Sequence, residues 1–65
     1  MTQPYLIQYL ENQKIIGVNE VTERSHAEDM AKQWLKDATD KTAIVKIWWQ
    51  GKDPHIVATI NKNEL

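Results

Sequence analysis

Two short arrangements in this chain carry residue types that can do chemistry. Ser25 and His26 are adjacent, a hydroxyl beside an imidazole, and Asp53 and His55 stand two apart, a carboxylate and an imidazole that could share one side of a strand. A nucleophile and its base must face one another and need a third group to orient the base. Ser25 is better explained as a helix cap and His26 as a first-turn surface residue. Asp53 and His55 lack the third ligand of a metal site, and solvation of a turn accounts for both. Glu11, Glu20, Glu23, Asp37 and Asp40 fall in turns and at element ends, where acid–base pairs do not converge. Gly17 and Gly51 are isolated, so no phosphate-cradling loop is expected. A chain this short also has little material for a concave pocket of ligand size. The expectation is a protein that is not an enzyme, with no cofactor, no metal and no small-molecule substrate.

Stepping along the chain, the elements that would position such groups are legible. Residues 5–10, Tyr-Leu-Ile-Gln-Tyr-Leu, are strand formers after Pro4, and residues 15–21 read as the returning strand across Asn12-Gln13. Gly17 within that strand suggests a bulge or a close backbone approach. With a two-residue turn, Tyr9 pairs with Ile16, Ile7 with Val18 and Tyr5 with Glu20, and of this set Ile7, Tyr9, Ile16 and Val18 are expected under the helix. Leu10 with Ile15, Gln8 with Gly17 and Leu6 with Asn19 then form the other face.

The helix carries its own signature. Ser25 and Glu28 have the spacing of a capping box. Ala27, Met30, Ala31, Trp34, Leu35 and Ala38 recur at intervals of three and four, an apolar stripe. Glu28 and Asp29 are expected in the first turn, Lys36 near the end, and Glu28 with Lys32 as an i,i+4 pair. Residues 42–50 form a third strand, Gly51-Lys52-Asp53-Pro54 a turn, and residues 55–61 a fourth strand. Pairing Gln50 with His55 sets Trp49 opposite Ile56, Ile47 opposite Ala58 and Val45 opposite Ile60 on one apolar face. Trp48–Val57, Lys46–Thr59 and Ile44–Asn61 fall on the other.

The predicted fold is therefore α+β: residues 1–65 as one small ββαββ domain, a four-stranded, mainly antiparallel sheet with one helix on one face. Pattern alone does not give the strand order.

Trp48 and Trp49 are the most informative pair. Neighbouring strand residues point to opposite faces, so one indole is expected under the helix and the other on the uncovered side. Leu6, Leu10, Ile15, Ile44, Trp48 and Val57 are expected together on that open face. The ordinary account of such residues is scattered surface apolarity, common on folded proteins. Here they cluster, which favours a binding surface with Trp48 as its anchor. The expected function is a non-enzymatic protein-interaction module whose partner is another protein or a second copy in a homodimer. The alternative is single-stranded nucleic-acid binding. If the first hairpin is flipped, Tyr5 and Tyr9 join Trp48 outside as a base-stacking platform. Against it stand eight Lys plus Arg against nine Asp plus Glu, a net charge of −1, and no basic stripe.

Sixty-five residues bury only about 60% of the surface their unfolded chain exposes, so such a domain is marginal. Cysteine is absent, which excludes disulfides and thiolate metal sites and favours a reducing, cytoplasmic setting. No apolar run approaches the roughly 20 residues that span a bilayer, so no membrane partner is expected. Met-Thr-Gln-Pro-Tyr lacks the basic and apolar regions of a secretory signal. Without such a signal, the likeness of Lys62-Asn63-Glu64-Leu65 to an endoplasmic-reticulum retention tetrapeptide is read as chance. In size and outline the layout is similar to small accessory proteins of bacteria and their phages, including inhibitors that occupy a host protein's surface. That likeness assigns no functional residues.

Overall fold

The computed structural model describes residues 3–64, so Met1, Thr2 and Leu65, at the ends of the segments read above for targeting signals, lie outside it. Its elements are β1 (Tyr5–Glu11), β2 (Lys14–Val21), α1 (Arg24–Asp37), β3 (Ile44–Trp49), β4 (His55–Asn61) and a 3-10 turn (Lys62–Glu64). The four strands form one antiparallel sheet in the order β2-β1-β3-β4. The fold is the expected α+β ββαββ arrangement. β1 and β3 lie at the centre, and β2 and β4 are the edges.

The central ladder is regular from Tyr5–Trp49 through Ile7–Ile47 to Leu10–Ile44. One more main-chain bond, from the N–H of Gln50 to the carbonyl of Pro4 at 2.7 Å, extends it. The two hairpins are each interrupted once. Leu10 pairs with Ile15 as expected, but Ile16 is then an extra residue, and Tyr9 meets Gly17, Ile7 meets Asn19 and Tyr5 meets Val21. Every pairing beyond the bulge is thus one residue away from the expected register. Ile16 and Val18, expected under the helix, are instead more than half exposed. In the second hairpin the expected pairs hold from Ile44–Asn61 to Ile47–Ala58. Val57 is then the extra residue, and Trp48 meets Ile56 and Trp49 meets His55.

The turn of the first hairpin has positive φ at both Asn12 (53°) and Gln13 (66°). Two such residues in succession match the twist of the flanking strands. Asparagine tolerates that conformation, but glutamine carries a steric cost there.

The helix lays a narrow stripe on the sheet. Ala27, Ala31 and Leu35, at successive intervals of four, are fully buried against Ile7, Val45 and Ile47, with Tyr9, Val21 and Ala43 completing the core. Two alanines in that stripe let the helix backbone approach closely. Trp34 flanks it and tilts against Tyr9 with ring centroids 4.9 Å apart.

The expected capping box is not formed. Only Thr22 and Glu23 link β2 to α1, so the helix starts as soon as the chain leaves the sheet. Glu23, in extended conformation, is the N-cap and makes no side-chain cap bond. Its carbonyl accepts from the Ala27 N–H at 3.1 Å. Ser25 therefore lies inside the first turn, and that turn holds no acidic residue. Glu28 lies further along and reaches back to Arg24, 3.9 Å away, rather than forward to Lys32. At the other end, the Lys62 ammonium donates to the Leu35 carbonyl at 2.7 Å, adding a cation where the helix dipole is negative; the same carbonyl also accepts from the Ala38 N–H at 3.3 Å.

Candidate interaction face

Paired residues in antiparallel strands share a face, so the registers define three rows on the side opposite the helix. One runs Ile15–Leu10–Ile44–Asn61, the next Val18–Gln8–Lys46–Thr59, and the third Glu20–Leu6–Trp48–Ile56. Two apolar bands thus flank a mostly polar middle row. Leu6, Leu10, Ile15, Ile44 and Trp48 all lie on this open face, as their alternation requires. Leu10 is nonetheless buried, at 8% exposure, between Ile15 and Ile44, and cannot be a contact residue in its own right.

Val57 is a correction. As the bulge residue it has no partner across the ladder, and it packs against the helix-side core. Ile56, expected inside opposite Trp49, takes its place beside Trp48 and is 41% exposed. Ile56 and Val18 are the members of the face that the pattern missed. Each lies beyond a bulge, and Gly17, next to the first bulge, was the only signal for either.

Trp48 is half-buried, and its orientation is fixed. Its indole N–H donates to Oε1 of Gln8 at 2.8 Å, a diagonal neighbour across the β1–β3 pair. With its single polar atom satisfied within the chain, the ring offers hydrocarbon and needs no acceptor from outside. Charge on the face is sparse: Lys46 in the middle row and Glu20 at the β2 end. Glu20 accepts from the Gln50 side-chain amide at 2.9 Å.

The other tryptophan has a different task from the one expected. Trp49 lies on the helix side opposite Tyr5, but beyond the core cluster. Its six-membered ring folds over Gly51, and His55 stands 5.5 Å away, centroid to centroid. Tyr5 and Tyr9 are also on the helix side. Tyr9 is buried, and its hydroxyl accepts from Asn19 at 2.9 Å. Trp48 is therefore the aromatic side chain that the sheet presents on its open face.

The chemistry-bearing residues behave as turn and surface groups. His55 Nδ1 lies 2.7 Å from the Asp53 main-chain carbonyl. Among the described residues no three His, Asp or Glu side chains are grouped to hold a metal ion. Thr42 donates to the Asp40 carboxylate from its hydroxyl (2.6 Å) and its N–H (2.8 Å), and accepts from the Asn12 N–H (2.8 Å). The hydroxyl bond first, and then the N–H bond, hold the Asp40 carboxyl below its usual pKa.

That relay borders an open cleft of about 390 Å³ lined by Asn12, Gln13, Lys41, Thr42, Ala43, Ile44, Asn61, Asn63 and Glu64. The cleft corrects the expectation that the chain is too short for a concavity of ligand size. Its volume falls at the low end of the roughly 300–1,000 Å³ of ligand sites. Its walls mix amides, the Thr42 hydroxyl and the charged Lys41 and Glu64 with the apolar Ala43 and Ile44, and carry no aromatic ring of the kind that commonly lines such sites.

No helix among the described residues is long and apolar enough to cross a membrane. No protein-family model, curated protein or solved structure matches this chain.

Proposed function

We propose that the chain is a non-enzymatic protein-interaction module, an accessory or inhibitor-like protein that binds through the open sheet face around Trp48. One observation carries the reading. The Leu6–Trp48–Ile56 and Ile15–Leu10–Ile44 rows are two apolar bands that no helix covers, joined at the β2 end by Val18 of the row between them, with Ile15, Val18 and Ile56 between 41% and 56% exposed. The locked Trp48 ring adds a preorganised anchor of the type enriched at interface hot spots.

Magnitudes favour use of the whole face over Trp48 alone. Covering a large apolar side chain gains roughly 1.5–3 kcal/mol, while association costs about 4 kcal/mol at the least. One or two residues fall short of that cost, and Trp48, Ile56, Val18 and Ile15, each already partly covered, together gain about 3–6 kcal/mol per copy, enough to meet only its lower end. A second copy is the simplest occupant, because a two-fold interface lets one patch cover itself. A cytoplasmic setting accords with the cysteine-free sequence.

The test is solution mass across a concentration range for wild type, Trp48→Ala and Ile56→Asp. A dimer that forms with concentration and is dispersed by both substitutions supports self-association through this face. A dimer indifferent to both refutes the assignment of the face. A monomer that binds oligonucleotide with a steep salt slope would transfer the face to single-stranded nucleic acid, a reading weakened by the helix-side placement of Tyr5 and Tyr9.

A further inference from the structure

We infer that the outer edge of β2 is a strand-addition site, taking an extended segment of another protein as a fifth strand. This goes beyond the open-face reading: it shares Ile15 and Val18 with that face, but its contact is made first by main-chain groups at the rim and does not need Trp48.

The two edges of the sheet differ in one main-chain group. At the β4 edge the Arg24 guanidinium donates to the carbonyl of Val57, the bulge residue, at 3.1 Å. Among the described residues, no side chain or loop bonds a main-chain group of β2, and no strand pairs on its outer side. An unpaired row of N–H and C=O groups is a template that an extended chain satisfies. The same strand carries three of the four large apolar side chains with high exposure: Ile15 at 56%, Ile16 at 54% and Val18 at 55%. Apolar side chains beside a free main-chain rim are what an added strand would cover.

A second copy of β2 fits this edge poorly. A symmetric antiparallel ladder centred on Val18 sets Ile16 against the other copy's Glu20, and one centred on Asn19 sets Val18 against that glutamate. Centring on Gly17 runs through the Ile16 bulge in both copies and places open-face Ile15 against helix-side Asn19. The edge is thus complementary to a different sequence. Residues 17–21 form its regular stretch beyond the bulge. An antiparallel segment there would set a basic residue opposite Glu20, whose carboxylate also accepts from Gln50 on its inner side at 2.9 Å, and, two positions on, an apolar β-branched residue opposite Val18.

The probe is the synthetic peptide acetyl-Thr-Lys-Thr-Val-Thr-Val-amide, followed by amide exchange and chemical shifts of the intact protein. The expected result is slowed exchange among the outward amides of residues 17–21 and methyl shifts at Ile15, Ile16 and Val18. The same peptide N-methylated at alternate residues should not bind. Replacing its lysine by glutamate should weaken binding roughly two- to fivefold, and Glu20→Lys, an exposed change, should reverse that preference. No binding at low-millimolar peptide, equal binding of the N-methylated peptide, or shifts centred on Trp48 and Ile56 instead of β2 would overturn the proposal. Loss of the Trp48-dependent dimer would leave it standing.

Discussion

Replacing Gly51 by alanine tests how the β3–β4 turn is held. A methyl group built there lies 2.0 Å from Cζ2, 2.2 Å from Cη2 and 2.5 Å from Cε2 of Trp49. Carbon atoms in contact sit about 3.5–4.0 Å apart, so the indole must retreat by roughly 1.5–2 Å. No glycine here has positive φ, so alanine suits the backbone and the cost arises from displacing the ring. If the half-buried Trp49 loses about 50–100 Å² of covered apolar surface at about 25 cal/mol per Å², the penalty is about 1.3–2.5 kcal/mol. Alanine recovers about 0.4–1 kcal/mol by restricting the unfolded chain. The net expectation is a destabilisation of about 0.5–2 kcal/mol. Denaturant unfolding of Gly51→Ala, Trp49→Leu and the double variant separates the two effects. With leucine at position 49, Gly51→Ala should be neutral or stabilising. An equal loss from Gly51→Ala in both backgrounds would refute the packing argument, because no ring would then be there to displace.

Three further outcomes follow from local geometry. Glu23→Ser should raise stability by about 0.5–1 kcal/mol by supplying the missing N-cap oxygen, while Ser25→Ala should change it little; chemical denaturation of the two variants reads both. Gln13→Gly should stabilise by about 0.5–1 kcal/mol, since glycine accepts the positive φ without the Cβ clash, seen as a higher denaturation midpoint. Asp40, whose pKa is lowered in the folded chain, contributes stability that is present above the unfolded carboxylate value and is lost as pH falls through the lower folded value. Unfolding midpoints of wild type and Asp40→Ala should therefore converge as pH drops through that window, and a constant gap would contradict the Thr42–Asp40 arrangement.

The sequence makes the elements visible because their periods differ. The stripe Ala27, Ala31, Leu35 has helical spacing, and Tyr5, Ile7, Tyr9 alternate as a strand must. What pattern could not fix is register where both strand faces are apolar. Ile15, Ile16 and Val18 look equally suited to either side, as do Ile56 and Val57, so a one-residue bulge leaves no compositional trace. Gly17 hinted at the first bulge and nothing marked the second. This is why Val57 was expected on the open face and Ile56 was missed. Strand order was illegible for another reason. It rests on the pairing of Tyr5–Leu10 with Ile44–Trp49, about forty residues apart, and neither segment names its partner. The helix start was misplaced because the Ser25–Glu28 spacing imitates a cap, whereas the two-residue link from β2 decides where the helix begins.

Both irregularities sit on the outermost strands, while the middle pair is unbroken. Length changes therefore have unequal effects around the molecule. Deleting Ile16 would straighten the first hairpin and leave its turn intact, whereas deleting Val57 would also remove its packing against the core and its bond to Arg24, so the β2 rim is the freer of the two to gain or shed a residue. A deletion within Tyr5–Leu10 or Ile44–Trp49 would send every following side chain to the wrong side and empty the interior. A lineage of this protein could vary in size along its margins yet keep the span of its two inner strands constant.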